Sequence, residues 1–174
     1  MNNLIIVFYA GTQVGKFRFL LYFSLVCLVG SMVAFYWIAF DIEDVELINQ
    51  ERWLLALIVL ALGVAFFGGM LIYSHRYVVW LWVDEQLRVV DIETMALFGG
   101  RVQRFSVEEL ASIKYDSGEL RTYYHHIRTP YLKLRVSGQR LPYVVDLQGY
   151  IPEEALFGKL VAKLVAKSKR SISS

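Results

Sequence analysis

Two apolar runs, Phe19 to Phe40 and Trp53 to Tyr73, contain no Asp, Glu, Lys, Arg or His. An α-helix rises about 1.5 Å per residue and a bilayer core is about 30 Å thick, so each run is long enough to cross a membrane. The segment 41–52 between them is too short for any arrangement but antiparallel neighbours. After Arg76 the period falls from that of a helix to the alternation of strands. Tyr77–Val83 and Leu87–Ile92 are rich in β-branched and aromatic residues around the turn-like Asp84-Glu85-Gln86, which predicts a hairpin. Gly99-Gly100 breaks the chain before a third strand, Arg101 to Phe105. Ser106 and Glu109 fit a capping box or a tight helical turn leading to Leu110, Ile113 and Tyr115. Asp116 to Arg128 is polar and irregular and reads as a loop.

Tyr131 to Val136 alternates apolar with basic residues, Ser137-Gly138-Gln139 is a turn, and Leu141 to Leu147 returns, with Pro142 implying an edge or a bulge. Pro152 suits the first position of a helix and Glu153 and Glu154 its first turn. Leu156, Phe157, Leu160, Val161, Leu164 and Val165 then form a helical stripe. The pattern predicts an α+β membrane protein. A two-helix transmembrane hairpin precedes an antiparallel β-rich, pleckstrin-homology-like domain with a C-terminal amphipathic helix. A simpler antiparallel α+β domain fits the same order. The expected divisions are a head over 1–18, a hairpin over 19–73 with an acidic loop at 41–52, and a β-rich domain over 74–174.

Composition agrees: 56% of the 174 residues are hydrophobic, above the usual 45–50% or so of soluble domains. The single cysteine, Cys27, excludes a disulfide framework and a cysteine-based metal site, and reads as a small packing residue in the first run. The net charge of +2 says little, but its distribution says more. Lys16 and Arg18 precede the first run, and His75 and Arg76 follow the second. The connecting segment carries Asp41, Glu43, Asp44, Glu46 and Glu51 against Arg52. The positive-inside rule then places both termini in the cytoplasm or an organelle's matrix. The opening residues show neither a basic n-region nor an arginine- and serine-rich transit pattern, and a mature organellar form or internal targeting information would read the same way.

Within the runs, Gly30 with Ala34 and Ala61 with Ala65 make small-xxx-small pairs, and Gly63, Gly68 and Gly69 lie near the second. Small residues allow close helix approach, either within the hairpin or to a neighbouring membrane subunit. The lack of ionisable residues argues against transport by this chain alone. Tyr36, Trp37, Trp53 and Tyr73 occupy positions of interfacial aromatic belts.

No phosphate loop, nucleophile elbow or metal-spaced cluster is present. The adjacent His125 and His126 would diverge on a strand or a helix. Asp84/Glu85 and Glu108/Glu109 read as turn and helix-start charges. We therefore expect no enzyme, cofactor or metal. The basic residues Lys133, Arg135, Arg140, Lys159, Lys163 and Lys167 either form a solvated face or contact a partner or an anionic phospholipid such as cardiolipin. Nucleic acid is not expected, because the domain is only mildly basic and no recognisable module is present.

The string from Leu132 through Lys133, Arg135, Gly138 and Arg140 has a basic strand and a glycine turn. Tyr143 to Leu147 is an apolar strand with Asp146 near its end, and Gly149-Tyr150-Ile151-Pro152 and Leu156-Phe157 follow. With the Phe98-Gly99-Gly100 step and Ser106 to Leu110, this resembles the two-span mitochondrial inner-membrane proteins that act in biogenesis of respiratory-chain complexes. The nearest likeness is to the member linked to cytochrome c oxidase. The resemblance implies a non-catalytic accessory subunit or assembly factor with both termini in the matrix. Its partners would be the membrane and subunits of cytochrome c oxidase, ahead of ATP synthase or complex I. A bacterial-type plasma-membrane protein with cytoplasmic termini shares the layout. A tethered lipid-headgroup module is the alternative function.

Overall fold

The structure is a computed structural model that describes residues 4–41, 49–121 and 126–172. It comprises two compact units, Gly15–Ser74 and Met1–Val14 with His75–Ser174.

The first unit is the helical hairpin. Helix α1 spans Gln13–Tyr36 and runs into a π-helical turn, Trp37–Asp41, while α2 spans Asn49–Ser74. Both carry a stretch long and apolar enough to cross a membrane, Gln13–Phe40 and Gln50–Ser74. Leu21, Ser24 and Ser31 on α1 and Ala56, Gly63 and Ser74 on α2 are buried. With the half-buried Leu28, Phe35, Leu60, Phe67 and Met70 they recur at spacings of three and four, the seam of near-parallel helix packing. Hydroxyls in such a seam must be satisfied without water. Ser24 Oγ donates to the Leu21 carbonyl at 2.7 Å, Ser31 Oγ to Leu28 at 2.7 Å and Ser74 Oγ to Leu71 at 2.8 Å. Aromatic pairs mark both ends: Phe17 with Tyr73 at 5.2 Å, and Phe40 with Trp53 at 5.5 Å. The core of the expected acidic loop, 42–48, lies outside the described residues.

The second unit holds two antiparallel sheets. One has the order β1-β2-β3-β4, from Leu4–Tyr9, Val78–Asp84, Val89–Met95 and Gly100–Ser106. The other has the order β5-β6-β7, from Leu110–Arg121, His126–Val136 and Tyr143–Asp146. Bridges between Tyr77 and Val144 and between Tyr9 and Tyr150 tie the sheets and their connections together. Helix α3, Glu154–Ile172, lies against β5 and β1. The core gathers Val7, Phe8, Leu81, Val83, Ile92, Leu110, Leu134, Tyr143, Leu160 and Leu164, each at most 2% exposed. This is the expected α+β order of apolar helices, antiparallel strands and a C-terminal helix.

Four details depart from the expectations. The segment before Lys16 does not stand apart as a head: β1 pairs with β2 and buries Val7 and Phe8 completely. Asp116 to Arg121 is not loop but the far end of β5, paired residue by residue with β6 as far as Arg121 opposite His126. Within this ladder Gly118 pairs with Thr129 and Pro130 with Ser117, and Leu147 N donates to the Pro130 carbonyl at 3.0 Å. The Ser106–Glu109 bonds form, with Ser106 N donating to Glu109 Oε2 at 2.6 Å and Glu108 N to Ser106 Oγ at 3.2 Å. They close the expected tight turn, in which Glu109 N donates to the Ser106 carbonyl at 2.9 Å, but no helix follows because Leu110 pairs at once with Val136. Finally, α3 begins at Glu154, two residues beyond Pro152.

Candidate interaction surfaces

Of the small residues named in the spans, Gly63 closes the hairpin: a Cβ placed there would lie 2.6 Å from Ser31 Cβ and 3.5 Å from Leu28 Cα. Gly30, Ala61, Ala65 and Gly69 are exposed, and Ala34 and Gly68 are half-buried. A Cβ at Gly30, Gly68 or Gly69 would meet nothing within 4 Å. Ala61, Ala65 and Gly69 recur every four residues, so they line one strip of α2 that the hairpin leaves uncovered. Large apolar side chains stand out around them, including Val26, Val33, Leu62 and Ile72.

The six basic residues do not converge. Lys133 and Arg135 share a cleft on the second sheet. Lys133 Nζ binds Asp116 Oδ2 at 2.7 Å and lies 5.4 Å from the centre of the Tyr131 ring. Bonding to Lys133 holds the Asp116 carboxyl below its ordinary pKa, and the same bond raises that of Lys133. Lys163 and Lys167 instead lash α3 to turns. Lys163 Nζ donates to the Leu87 carbonyl at 3.0 Å, where Leu87 sits at φ 52°, and Lys167 Nζ donates to the carbonyls of Glu108 and, at 3.0 Å, Leu110. Arg140 and Lys159 are exposed elsewhere, on the turn before β7 and on α3. Of the histidine pair, His125 and the side chain of His126 lie outside the described residues.

One residue that completes the cleft escaped the sequence reading. Lys114 stands directly opposite Lys133 and lines the same cleft. Its alternation with Ile113 and Tyr115 was the available signal, obscured by reading the next residues as a loop.

On the first sheet, Tyr9, Trp80 and Trp82 form a ladder, with ring centres 3.9 Å and 5.9 Å apart. Arg104 grips the buried Asp91 with two bonds, Nε to Oδ1 at 2.8 Å and Nη2 to Oδ2 at 2.7 Å, which raises the guanidinium pKa. Phe98, Tyr115 and Tyr150 project to solvent at 83%, 58% and 66% exposure. Among the described residues no group of three or more His, Cys, Asp or Glu could hold a metal ion.

Two long apolar helices joined to a two-sheet unit with exposed aromatics define a small membrane protein. The chain belongs to the TMEM70/TMEM186/TMEM223 protein family, whose model matches residues 5–163, a family of mitochondrial membrane assembly factors. The match takes in β1, the hairpin and most of the second unit. No individual curated protein matches the chain.

Proposed function

We propose that this protein is a non-catalytic accessory subunit or assembly factor of a respiratory-chain complex in the mitochondrial inner membrane. Cytochrome c oxidase is favoured over ATP synthase and complex I. Family membership supports an assembly role, and the likeness of Leu132 to Phe157 to the member linked to cytochrome c oxidase supports the choice of complex.

The observation that carries a docking role is the hairpin's uncovered face. Its own closure uses Ser31, Ala56 and Gly63, which leaves Gly30, Ala34, Ala61, Ala65, Gly68 and Gly69 for another helix. In lipid, backbones approach where side chains are small, and packing replaces the missing hydrophobic drive. Phe98, Tyr115 and Tyr150 are the aromatic anchors of the β-rich unit, since buried aromatics contribute most to interfaces. Both termini lie in the matrix on this reading, by the charge asymmetry around the spans. The four-plus-three strand order closed by α3 supports a pleckstrin-homology-like roll. The alternative, a tethered module binding anionic lipid headgroups such as cardiolipin, asks that Lys133, Arg135 and Lys163 converge, and it loses support because Lys163 is bound to the Leu87 carbonyl away from the cleft of Lys133 and Arg135.

The test is native electrophoresis of mitochondrial membranes in mild detergent with this chain tagged. Co-migration with oxidase subunits is expected. Migration as a lone small species would refute the reading, and co-migration with ATP synthase or complex I subunits would reassign the complex.

A further inference from the structure

The outer face of the second sheet holds an arrangement of charge that folding alone does not explain. On strands, alternate residues share a face. Lys114 on β5 faces Lys133 on β6, and the next pair on the same face is Ser112 with Arg135. Like charges directly opposite across strands destabilise a sheet. Asp116, in the neighbouring pair with Tyr131, is bonded to Lys133 and its charge also attracts Lys114, so one carboxylate faces three cations. Its Oδ2 binds Lys133 and its Oδ1 accepts Ser117 N at 3.0 Å. The other carboxylate of this face, Asp146 on β7, accepts from Gln148 N at 3.0 Å and from Tyr77 Oη at 3.5 Å. Lys114 and Arg135 are exposed beside a fixed Lys133, and among the described residues that line the cleft there are three cations and no carboxylate.

These three side chains, with Ser112, Pro142 and Ser168 of α3, line a cleft of about 500 Å³. Lys133 is positioned in advance by Asp116 and the Tyr131 ring, which reduces the ordering cost of binding. An ammonium has three donors, and with Asp116 and Tyr131 both engaged by Lys133 one remains for a ligand. Arg135 offers the planar fork suited to paired phosphate oxygens.

We propose that the cleft formed by Lys114, Lys133 and Arg135 binds a phosphate group, carried by an anionic lipid headgroup or by a small soluble compound. A bound dianion or diester turns the repulsion between Lys114, Lys133 and Arg135 into attraction. The cleft is larger than a bare phosphate and has room for the group that bears it. Its chemistry does not depend on which complex the protein serves.

The test uses the full chain in neutral detergent micelles and follows acylation of each lysine by peptide mass spectrometry. One arm adds inorganic phosphate against chloride at matched ionic strength, and the other adds phosphatidylglycerol against phosphatidylcholine. At about ten times Kd the site is roughly nine-tenths filled, so acylation of Lys114 slows about tenfold, while Lys159 reacts at an unchanged rate. Protection by phosphatidylglycerol alone supports the site and makes the ligand a lipid headgroup. Protection by phosphate alone supports it with a soluble ligand, and protection by both supports it for either source. Arg135→Gln removes a charge-assisted bond and weakens protection of Lys114 about tenfold in Kd, whereas Lys159→Gln leaves it unchanged. No protection in either arm, or equal protection of Lys159, overturns the proposal. The wild-type arms decide this even where Arg135→Gln impairs folding.

Discussion

Tyr9 exchanges both backbone hydrogen bonds with Tyr150, N to O at 2.8 Å and 2.7 Å. The chain thus crosses its entire hairpin before returning to complete a sheet begun at its start. The neighbouring Gly149 is required there: a Cβ would lie 2.6 Å from the Phe8 ring and 2.7 Å from the Tyr9 carbonyl. β1 is gripped from both sides, by β2 and by the strand-like Tyr150.

A fragment over 75–174 is therefore expected not to fold, although it contains six of the seven strands. Without β1 it lacks Val7 and Phe8, both wholly buried, and leaves the edge of β2 unpaired. In the full chain, Phe8→Ala alone should cost about 3–5 kcal/mol. Near-ultraviolet circular dichroism of the fragment, with and without an added peptide over 1–14, checks this. A cooperative melt of the fragment alone would refute it.

Helix α3 offers a graded comparison. Leu164 is fully buried, while Val165 beside it is 38% exposed. Leu164→Ala is expected to destabilise the β-rich unit by about 2–5 kcal/mol, and Val165→Ala by about 0.5 kcal/mol or less. Denaturant titration of the two variants measures the difference. Equal effects would mean that α3 is not seated on its Leu160–Leu164 face.

The Lys133–Asp116 pair predicts a pH dependence. Asp116 is held below its ordinary pKa, chiefly by its bond to Lys133, so its contribution is present above about pH 3.9 and is lost as pH falls through the lower folded value. Lys133 is raised by the same bond, so its contribution is present below about pH 10.4 and lost as pH rises through the higher folded value. The gap in melting temperature between wild type and Asp116→Asn should be constant from about pH 5 to 9 and shrink below about pH 4. A gap that stays constant down to pH 2 would show that the pair does not form.

The hairpin and most strands were legible because their signals are periodic. Uncharged runs, alternation at Tyr131 to Val136 and the stripe on α3 each follow from one element burying one face. Three features were hidden because they depend on residues distant in sequence. The Leu4 to Tyr9 stretch is a strand only because β2 is there to receive it. The polar stretch from Asp116 to Arg121 is a strand only because β6 is there to pair with it, with Ser117 opposite Pro130 and Gly118 opposite Thr129. The cleft could not be assembled from the basic residues alone, since the missing member, Lys114, lies on a different strand from Lys133 and Arg135.

The spans carry the prediction that separates closing the hairpin from docking it. Gly63 leaves no room for a side chain because Ser31 and the Leu28 backbone occupy it, whereas Gly30 faces away from α2 with nothing within 4 Å. Gly63→Leu should force α1 and α2 apart and destabilise the hairpin by about 1–3 kcal/mol, the usual cost of overpacking. Gly30→Leu should leave the melting temperature in detergent unchanged yet reduce recovery of the partner complex, because the added side chain holds a neighbouring helix away. The two readouts, thermal melting and the yield of tagged complex, must therefore move separately for the two variants. If Gly30→Leu lowers the melting temperature as much as Gly63→Leu does, Gly30 belongs to the hairpin seam. If it changes neither readout, that face touches only lipid and the docking surface must be sought on Ala61, Ala65 and Gly69.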